Sequence, residues 1–239
     1  MKDALLTALR FPFFCASRCE MLRFNAEWRY FVCGIVATWI VGLGRWWDDG
    51  GANLFQKLGL GSVVYVFVLA FFLWITLLPM RPNDWSYPRV LVCVTFTALP
   101  GIVYAIPVER MMTSAVAARV NLGFLAFVAG WRVALLMFFA RRLGKLTWPR
   151  TLVGSLFPLV FVVTLVSATV KLNMSLLRDM AGIKNFNDEQ LVVEAAANVV
   201  SEVSNPLFLP LMIAYVTLAI ISLYRAKRVT TPRESERSV

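Results

Sequence analysis

Residues 58–80 read LGLGSVVYVFVLAFFLWITLLPM, twenty-three consecutive residues without an acidic or basic side chain. A helix needs about 20 predominantly apolar residues to cross the hydrocarbon core of a bilayer. Inside that core the backbone finds no water to bond, so a spanning segment must satisfy its own polar groups as a helix or in a closed barrel. The stretch therefore predicts a membrane-spanning α-helix.

Five further apolar runs occur along the chain. Three carry no charge, one is short and flanked by Arg29 and Arg45, and one is interrupted by Arg132. Hydrophobic residues make up 59% of the 239 residues, which leaves too little polar sequence for the shell of a water-soluble fold. We therefore expect an all-α, polytopic integral membrane protein. Its six spans are predicted near residues 30–44, 58–80, 90–108, 118–140, 151–170 and 206–224.

The first 28 residues are amphipathic and too interrupted to span. Leu5, Leu6 and Leu9 fall on one helical face, and basic residues break each apolar stretch before residue 29. Such pieces lie in the headgroup region of a bilayer. We expect residues 1–28 to form a cytoplasmic segment with an interfacial amphipathic helix, ahead of a transmembrane bundle over residues 29–224.

The sequence also predicts a helix outside the membrane in residues 171–205. Asn187 followed by acidic residues has the pattern of a helix N-terminus, and the residues after it alternate between a polar and an apolar face. Pro206 is expected to end this outer amphipathic helix or to open the last span. Residues 225–239 are polar and are expected to form a disordered cytoplasmic tail.

The distribution of lysine and arginine predicts the orientation. Most of the 24 basic residues fall in segments on the same side as the N-terminus, which the positive-inside rule makes the cytoplasmic side. With six spans, both termini are cytoplasmic. The net charge of +10 is explained by this asymmetry and by anionic lipid at the cytoplasmic face, so nucleic acid is not an expected partner. We expect a multi-pass protein of the cell membrane, and its short joints favour a bacterial inner membrane.

Several classes of chemistry lack support in the sequence. The chain has no histidine, and its four cysteines do not have the spacing of a metal site. Cys15 and Cys19 lie on the cytoplasmic side, where thiols stay reduced. No phosphate-binding loop, nucleophile elbow or zinc-protease motif occurs. We therefore expect no metal, no cofactor and no catalytic residue.

Arg132 is the strongest candidate for a functional residue. It lies nine residues before Arg141, roughly 13 Å along a helix, and so near the middle of a hydrocarbon layer about 30 Å thick. An arginine there costs several kcal/mol and normally faces the interior of the bundle or water. The carbonyl of Phe96 and the hydroxyls of Thr95 and Thr97 are predicted acceptors. Arg132 is then a structural pin between two spans, a ligand for an anion or the lining of a pore, or it snorkels to the interface.

Two prolines, Pro100 and Pro107, interrupt the third span. Each frees the carbonyl four residues earlier, at Phe96 and Val103, so we expect this helix to be kinked or broken. Broken helices occur at transport sites, although proline is also common in membrane helices without such a role. A polar cluster at the outer ends of the third and fourth spans is either an interfacial ion pair or a substrate site, and consists of Tyr104, Glu109, Arg119 and Asn121.

Small residues predict where helices approach each other closely. They are spaced four apart in the fourth span and, more weakly, in the first: Ala126, Gly130, Ala134, Gly34 and Thr38. Gly130 lies about 200° around its helix from Arg132, so the small residues and the arginine serve different neighbours. This pattern permits a homo-oligomer or a larger membrane complex.

Three functions are compatible with these features. The first is a non-enzymatic membrane protein that acts through assembly, as a scaffold, an accessory subunit or a homo-oligomer. The second is a small channel or transporter whose path runs beside the broken third span and Arg132. The third is a lipid-acting membrane enzyme that uses Glu109 with Arg119, or Asp48 with Asp49. The close-packing residues and sparse polar groups favour the first, and we expect the protein not to be an enzyme.

Overall fold

The computed structural model describes residues 2–25, 27–43, 58–170 and 188–230, and in these ranges the chain is helical without a strand. The α-helices are α1 (Lys2–Arg10), α2 (Arg18–Leu22), α3 (Trp28–Leu43), α4 (Leu60–Leu77), α5 (Tyr87–Phe96), α6 (Ser114–Arg142), α7 (Trp148–Val170) and α8 (Asp188–Thr230). Short 3₁₀ helices join several of them. The predicted all-α, polytopic membrane fold is confirmed.

Five helices in the described ranges are long and apolar enough to cross a membrane: Leu60–Met80, Tyr87–Ala105, Val116–Arg142, Trp148–Leu165 and Glu202–Arg225. They correspond to the second to sixth predicted spans. The first predicted span corresponds to α3, which is apolar but has only 16 residues. That length is about 24 Å of helix, short of the roughly 30 Å hydrocarbon layer. The residues after Leu43 that were expected to extend it lie outside the described ranges.

The third predicted span is broken, as its prolines indicate. Its α-helical part, α5, ends at Phe96, and the chain continues as a 3₁₀ helix over Leu99–Ala105. The amide of Gly101 donates to the carbonyl of Ala98 at 2.8 Å. The carbonyl of Val103, which Pro107 deprives of its α-helical partner, accepts from the amide of Ile106 at 3.2 Å. Tighter turns thus replace part of the missing α-helical bonding.

α3 packs against α5 with the two backbones close together. A methyl group placed on Gly34 would lie 2.7 Å from Thr95 Cβ, so a larger residue forces the helices apart. The hydroxyl of Thr38 donates to the carbonyl of Gly34 at 2.9 Å and lies 3.3 Å from the carbonyl of Thr95. Gly34 and Thr38 are the residues whose spacing predicts close packing in the first span.

The small residues of α6 form an exposed stripe. Ala126 and Gly130 are exposed, Ala134 is half-buried, and a methyl group on Gly130 would meet no atom within 4 Å. α6 instead joins the core through large residues near its C-terminal end, such as Leu135 and Phe139, which are fully buried. The Ala126–Gly130 stripe therefore does not hold two described helices of one chain together, because the bulkier side of α6 already faces them.

The N-terminal segment, residues 2–25, docks into the side of the bundle. α1 buries its small residues and exposes its leucines. Phe11 is fully buried, with its ring centroid 5.9 Å from that of Phe96 and 6.3 Å from that of Phe138. At the joint before α5, Arg18 forms an ion pair with Asp84 at 2.7 Å. The amphipathic pattern predicts an interfacial segment, but it did not reveal this aromatic anchor.

A capping box fixes the start of α2. The hydroxyl of Ser17 accepts from the amide of Glu20 at 3.2 Å, and the carboxylate of Glu20 accepts from the amide of Ser17 at 2.6 Å. Burial alone raises the pKa of Glu20. The bonds to Ser17, the charge of Arg10 3.8 Å away and the hydroxyl of Thr7 outweigh it, so the pKa is lowered overall.

α8 runs unbroken from Asp188 to Thr230, with Pro206 and Pro210 inside it. The prediction that Pro206 ends an outer helix or opens the last span is wrong. A proline removes one helical hydrogen bond, and packing against neighbouring helices compensates. Here α8 is held by Tyr215, whose ring stacks on Phe157 with centroids 4.5 Å apart. The helix also extends beyond the predicted start of the tail, whereas Asn187 and residues 231–239 lie outside the described ranges.

Replacing Gly34 by Ala should destabilise the fold by about 1–3 kcal/mol, because the added methyl group overlaps the rigid Cβ of Thr95. Gly130→Ala is the matched control. Its methyl group meets no neighbour, so the free energy of unfolding should stay the same or rise by up to about 1 kcal/mol. Unfolding of the detergent-solubilised protein, followed by circular dichroism, measures both. Equal effects of the two substitutions would contradict the packing described for α3 and α5.

Acid should loosen α2 through Glu20. Because the folded pKa of this carboxyl is lowered, its contribution to stability is present above the ordinary pKa of about 4.3 and is lost as pH falls through the lowered value. Amide hydrogen exchange over residues 17–22, corrected for intrinsic rates, should accelerate across that window. Glu20→Gln should abolish this pH dependence. A pH dependence that persists in the variant would show that another group titrates.

Candidate functional site

A cavity of about 220 Å³ lies among four of the described spans. α4, α5, α6 and α7 each contribute side chains, and the lining is mostly aliphatic and aromatic. Five described lining residues carry polar side-chain groups: Tyr65, Cys93, Thr97, Arg132 and Ser155. Among the described residues of the lining, only Arg132 is charged.

Arg132 presents an unsatisfied donor in this cavity. The residue is half-buried, and its Nε is buried without a hydrogen-bond partner. No described carboxylate lies within 4.0 Å of its guanidinium; the ion pairs of the described side chains join Arg10 to Glu20 and Arg18 to Asp84. A guanidinium can only donate, so the group that completes this site must accept hydrogen bonds.

Ser155 provides a second unsatisfied group in the same lining. It is 2% exposed, and its Oγ is buried without a partner. Its helix, α7, lies close to α4, since a methyl group on Gly154 would come within 2.8 Å of Leu77 Cδ2. Pro158, one turn farther along α7, also lines the cavity and removes the helical partner of the Gly154 carbonyl. The sequence analysis missed Ser155 and Pro158, although a proline three residues after a serine inside a span is a signal of local polarity.

Thr97 marks the point at which the broken span reaches the cavity. Its hydroxyl donates to the carbonyl of Val94 at 2.7 Å, which leaves the oxygen available as an acceptor. Thr95 points the other way, toward Gly34, and donates to the carbonyl of Val92 at 2.7 Å. The side chain of Phe96 is buried against the N-terminal segment, outside the cavity lining. Of the acceptors proposed for Arg132, only Thr97 lines the same cavity.

The remaining predicted site residues lie elsewhere. Pro100, Pro107, Tyr104 and Asn121 are half-buried and Arg119 is exposed, and none of them lines the cavity beside Arg132. The side chain of Glu109 and the loop with Asp48 and Asp49 fall outside the described parts of the structure. Among the described residues, no group of histidine, cysteine and acidic side chains could hold a metal ion. The predicted cluster at the outer ends of the spans therefore stays a prediction.

Contacts of the adjacent residue, Trp131, hold Arg132 toward the cavity. Trp131 donates from Nε1 to the carbonyl of Pro12 at 2.8 Å, and its ring centroid lies 6.0 Å from that of Phe14. Successive helical residues are turned by about 100°, so a fixed Trp131 leaves Arg132 directed away from the N-terminal segment. The docked segment thus positions the arginine through Trp131.

Comparisons with protein-family models, with curated proteins and with solved structures find no match for this chain. The chemistry of the cavity is therefore the basis for the function proposed below.

Replacing Arg132 by Met should leave the free energy of unfolding unchanged or raise it by about 1–4 kcal/mol, because it removes a half-buried charge that has no described partner. Arg89→Met is the control: the Nε of Arg89 is also buried without a partner, but its Nη1 donates to the carbonyl of Asp84 at 2.7 Å. It should lose about 1 kcal/mol. Unfolding in detergent measures both variants. A loss of about 3–5 kcal/mol for Arg132→Met would instead identify Arg132 as a structural pin.

Proposed function

We propose that this protein carries an anionic ligand through the membrane and that the cavity beside Arg132 is its binding site. The single observation behind the proposal is the pair of unsatisfied polar atoms, Arg132 Nε and Ser155 Oγ, in the lining of one otherwise apolar cavity. An arginine in the middle of a span costs several kcal/mol unless something compensates it. A bound anion supplies that compensation.

The positive charge of Arg132 makes the cavity selective for anions over cations. A fixed positive charge in a pore lowers the barrier for anions and raises it for cations. Arginine also presents a planar fork of donors that matches a carboxylate or phosphate. Ser155 can donate to the same ligand, and the Thr97 hydroxyl keeps an oxygen free to accept from the guanidinium. These roles support an oxyanion as the ligand.

The irregular backbone near the cavity favours movement of a ligand over static storage. α5 ends at Phe96, one residue before Thr97, and gives way to a 3₁₀ helix, while Pro158 interrupts the bonding of α7 from the other side. Discontinuous helices are common where transporters hold substrate near the middle of the bilayer. They lower the cost of local rearrangement, because fewer regular hydrogen bonds must break when the site opens.

A second candidate function is assembly, which the sequence analysis favours. The observation in its favour is the Ala126–Gly130 stripe, which is exposed and has open space over Gly130. Small residues let helices of separate chains approach closely in a membrane. We propose a homo-oligomer as the form in which the carrier works, with both termini cytoplasmic and basic residues near anionic lipid. Orientation, partners and oligomeric state remain predictions from the sequence.

Reconstituted protein should move monocarboxylates across liposome membranes, and Arg132→Gln should reduce the rate at least about tenfold by removing the charge that binds the anion. Solid-supported membrane currents with acetate, butyrate, octanoate or decanoate measure the flux. Arg142→Gln is the matched control: this residue is exposed at the end of the same helix and should leave the currents unchanged. Currents that are absent for every anion, or equal in the wild type and in Arg132→Gln, would overturn the proposed function.

A further inference from the structure

The cavity beside Arg132 has a rim on the lateral surface of the bundle. Four of its described lining residues are exposed: Tyr65 at 51% on α4, Ala129 on α6, and Leu159 at 45% and Val162 at 42% on α7. The inner wall, by contrast, contains the buried side chains of Cys93 and Ser155. The cavity is therefore accessible from the side, where α4, α6 and α7 contribute exposed residues. Cys93 and Ser155 lie at its inner end, and its rim is apolar apart from the hydroxyl of Tyr65.

This rim faces the acyl chains of the membrane. Its residues belong to the stretches Leu60–Met80, Val116–Arg142 and Trp148–Leu165, which are all long and apolar enough to span. Leu159 lies eleven residues from the start of α7, about 16 Å along the helix, and hence far from either headgroup layer. A hydrated ion cannot approach by this route, because it would first have to shed its water among hydrocarbon chains.

The chemistry along this route defines the ligand. The rim accepts an apolar chain, and the lining offers donors from the half-buried Arg132 and the buried Ser155 to an anionic group that can only accept. We propose that the cavity takes up a single-chain anionic amphiphile, of the long-chain carboxylate class, from the lipid phase. This inference rests on the proposed function and specifies the ligand of the same site.

The size of the cavity favours a single chain. At about 220 Å³ it is smaller than the 300–1,000 Å³ pockets that enclose drug-sized ligands. It can hold a carboxylate and the first part of an alkyl chain, and the rest of the chain extends through the rim into the bilayer. A phospholipid, with a headgroup and two chains joined at glycerol, is too broad for that space. The carboxylate also matches the bidentate donor geometry of arginine.

Oleate binding to the protein in phosphatidylcholine nanodiscs tests this inference. Quenching of tryptophan fluorescence by brominated oleate should saturate, and unlabelled oleate should compete. Oleyl alcohol has the same tail without the charge, and acetate has the charge without the tail, so both should compete at least about tenfold more weakly. Arg132→Gln should weaken oleate binding at least about tenfold, since it removes the charge that holds the carboxylate.

A second variant tests the route without touching the charge. Val162→Trp places a large ring at the rim and should also weaken oleate binding at least about tenfold. Val68→Trp is its control, because Val68 is 63% exposed on α4 and does not line the cavity. Circular dichroism and the unfolding temperature of each variant establish that it is folded. These two variants keep the inference testable should Arg132→Gln fail to fold.

The possible outcomes separate the ligand from the function. Saturable oleate binding that depends on both Arg132 and Val162 supports the inference. Oleate binding that is unaffected by Val162→Trp, or acetate that competes as well as oleate, overturns it. If short anions nevertheless give currents that require Arg132, the proposed carrier function stands with a water-soluble ligand. Absence of both oleate binding and anion currents overturns the inference and the function together.

Discussion

A guanidinium in a layer without water needs partners, and in the described part of the chain Arg132 has neither a carboxylate within 4.0 Å nor an acceptor for its Nε. The cost of placing it there is several kcal/mol, which is large beside the 5–15 kcal/mol that typically separates folded from unfolded protein. We propose that an oxyanion supplies the missing acceptor, because Arg132 shares its cavity with a second polar group without a partner, Ser155 Oγ.

Two neighbouring helices lie between the cavity and the N-terminal segment, and on each of them consecutive residues, turned by about 100°, reach these two different surroundings. On α6, Trp131 bonds to the carbonyl of Pro12 while Arg132 lines the cavity. At the end of α5, Phe96 packs on Phe11 while Thr97 lines the cavity. The aromatic anchor therefore fixes the rotation of both helices about their axes. The N-terminal segment therefore contributes to the geometry of the cavity, because fixing one residue of a rigid helix also fixes the direction of the residue next to it.

The parts of this structure that the sequence could predict depend on one helix at a time. Span positions follow from the length of apolar runs, and the depth of Arg132 follows from counting residues. Contacts between helices could not be read in the same way. Gly34 fits against Thr95 whereas Gly130 faces open space, although the two belong to the same kind of small-residue pattern. Likewise, the α-helix ends before Pro100 but continues through Pro206. Packing against neighbouring helices decides each case, and the residue pattern of a single helix carries no information about that packing.

Assembly and ligand binding make compatible demands on this fold. Gly130 lies about 200° around α6 from Arg132, so a second copy docked on the Ala126–Gly130 stripe would approach from a direction away from the arginine. The rim residues Tyr65 and Val162 belong to α4 and α7, which do not carry that stripe, whereas Ala129 forms the α6 side of the rim and lies next to Gly130. An oligomer formed through α6 would therefore leave Tyr65 and Val162 facing lipid. It would also bury the small side of α6 and restrain the helix that carries Arg132. Assembly and ligand binding thus use different faces of α6. Assembly would also make the ligand-binding site more rigid.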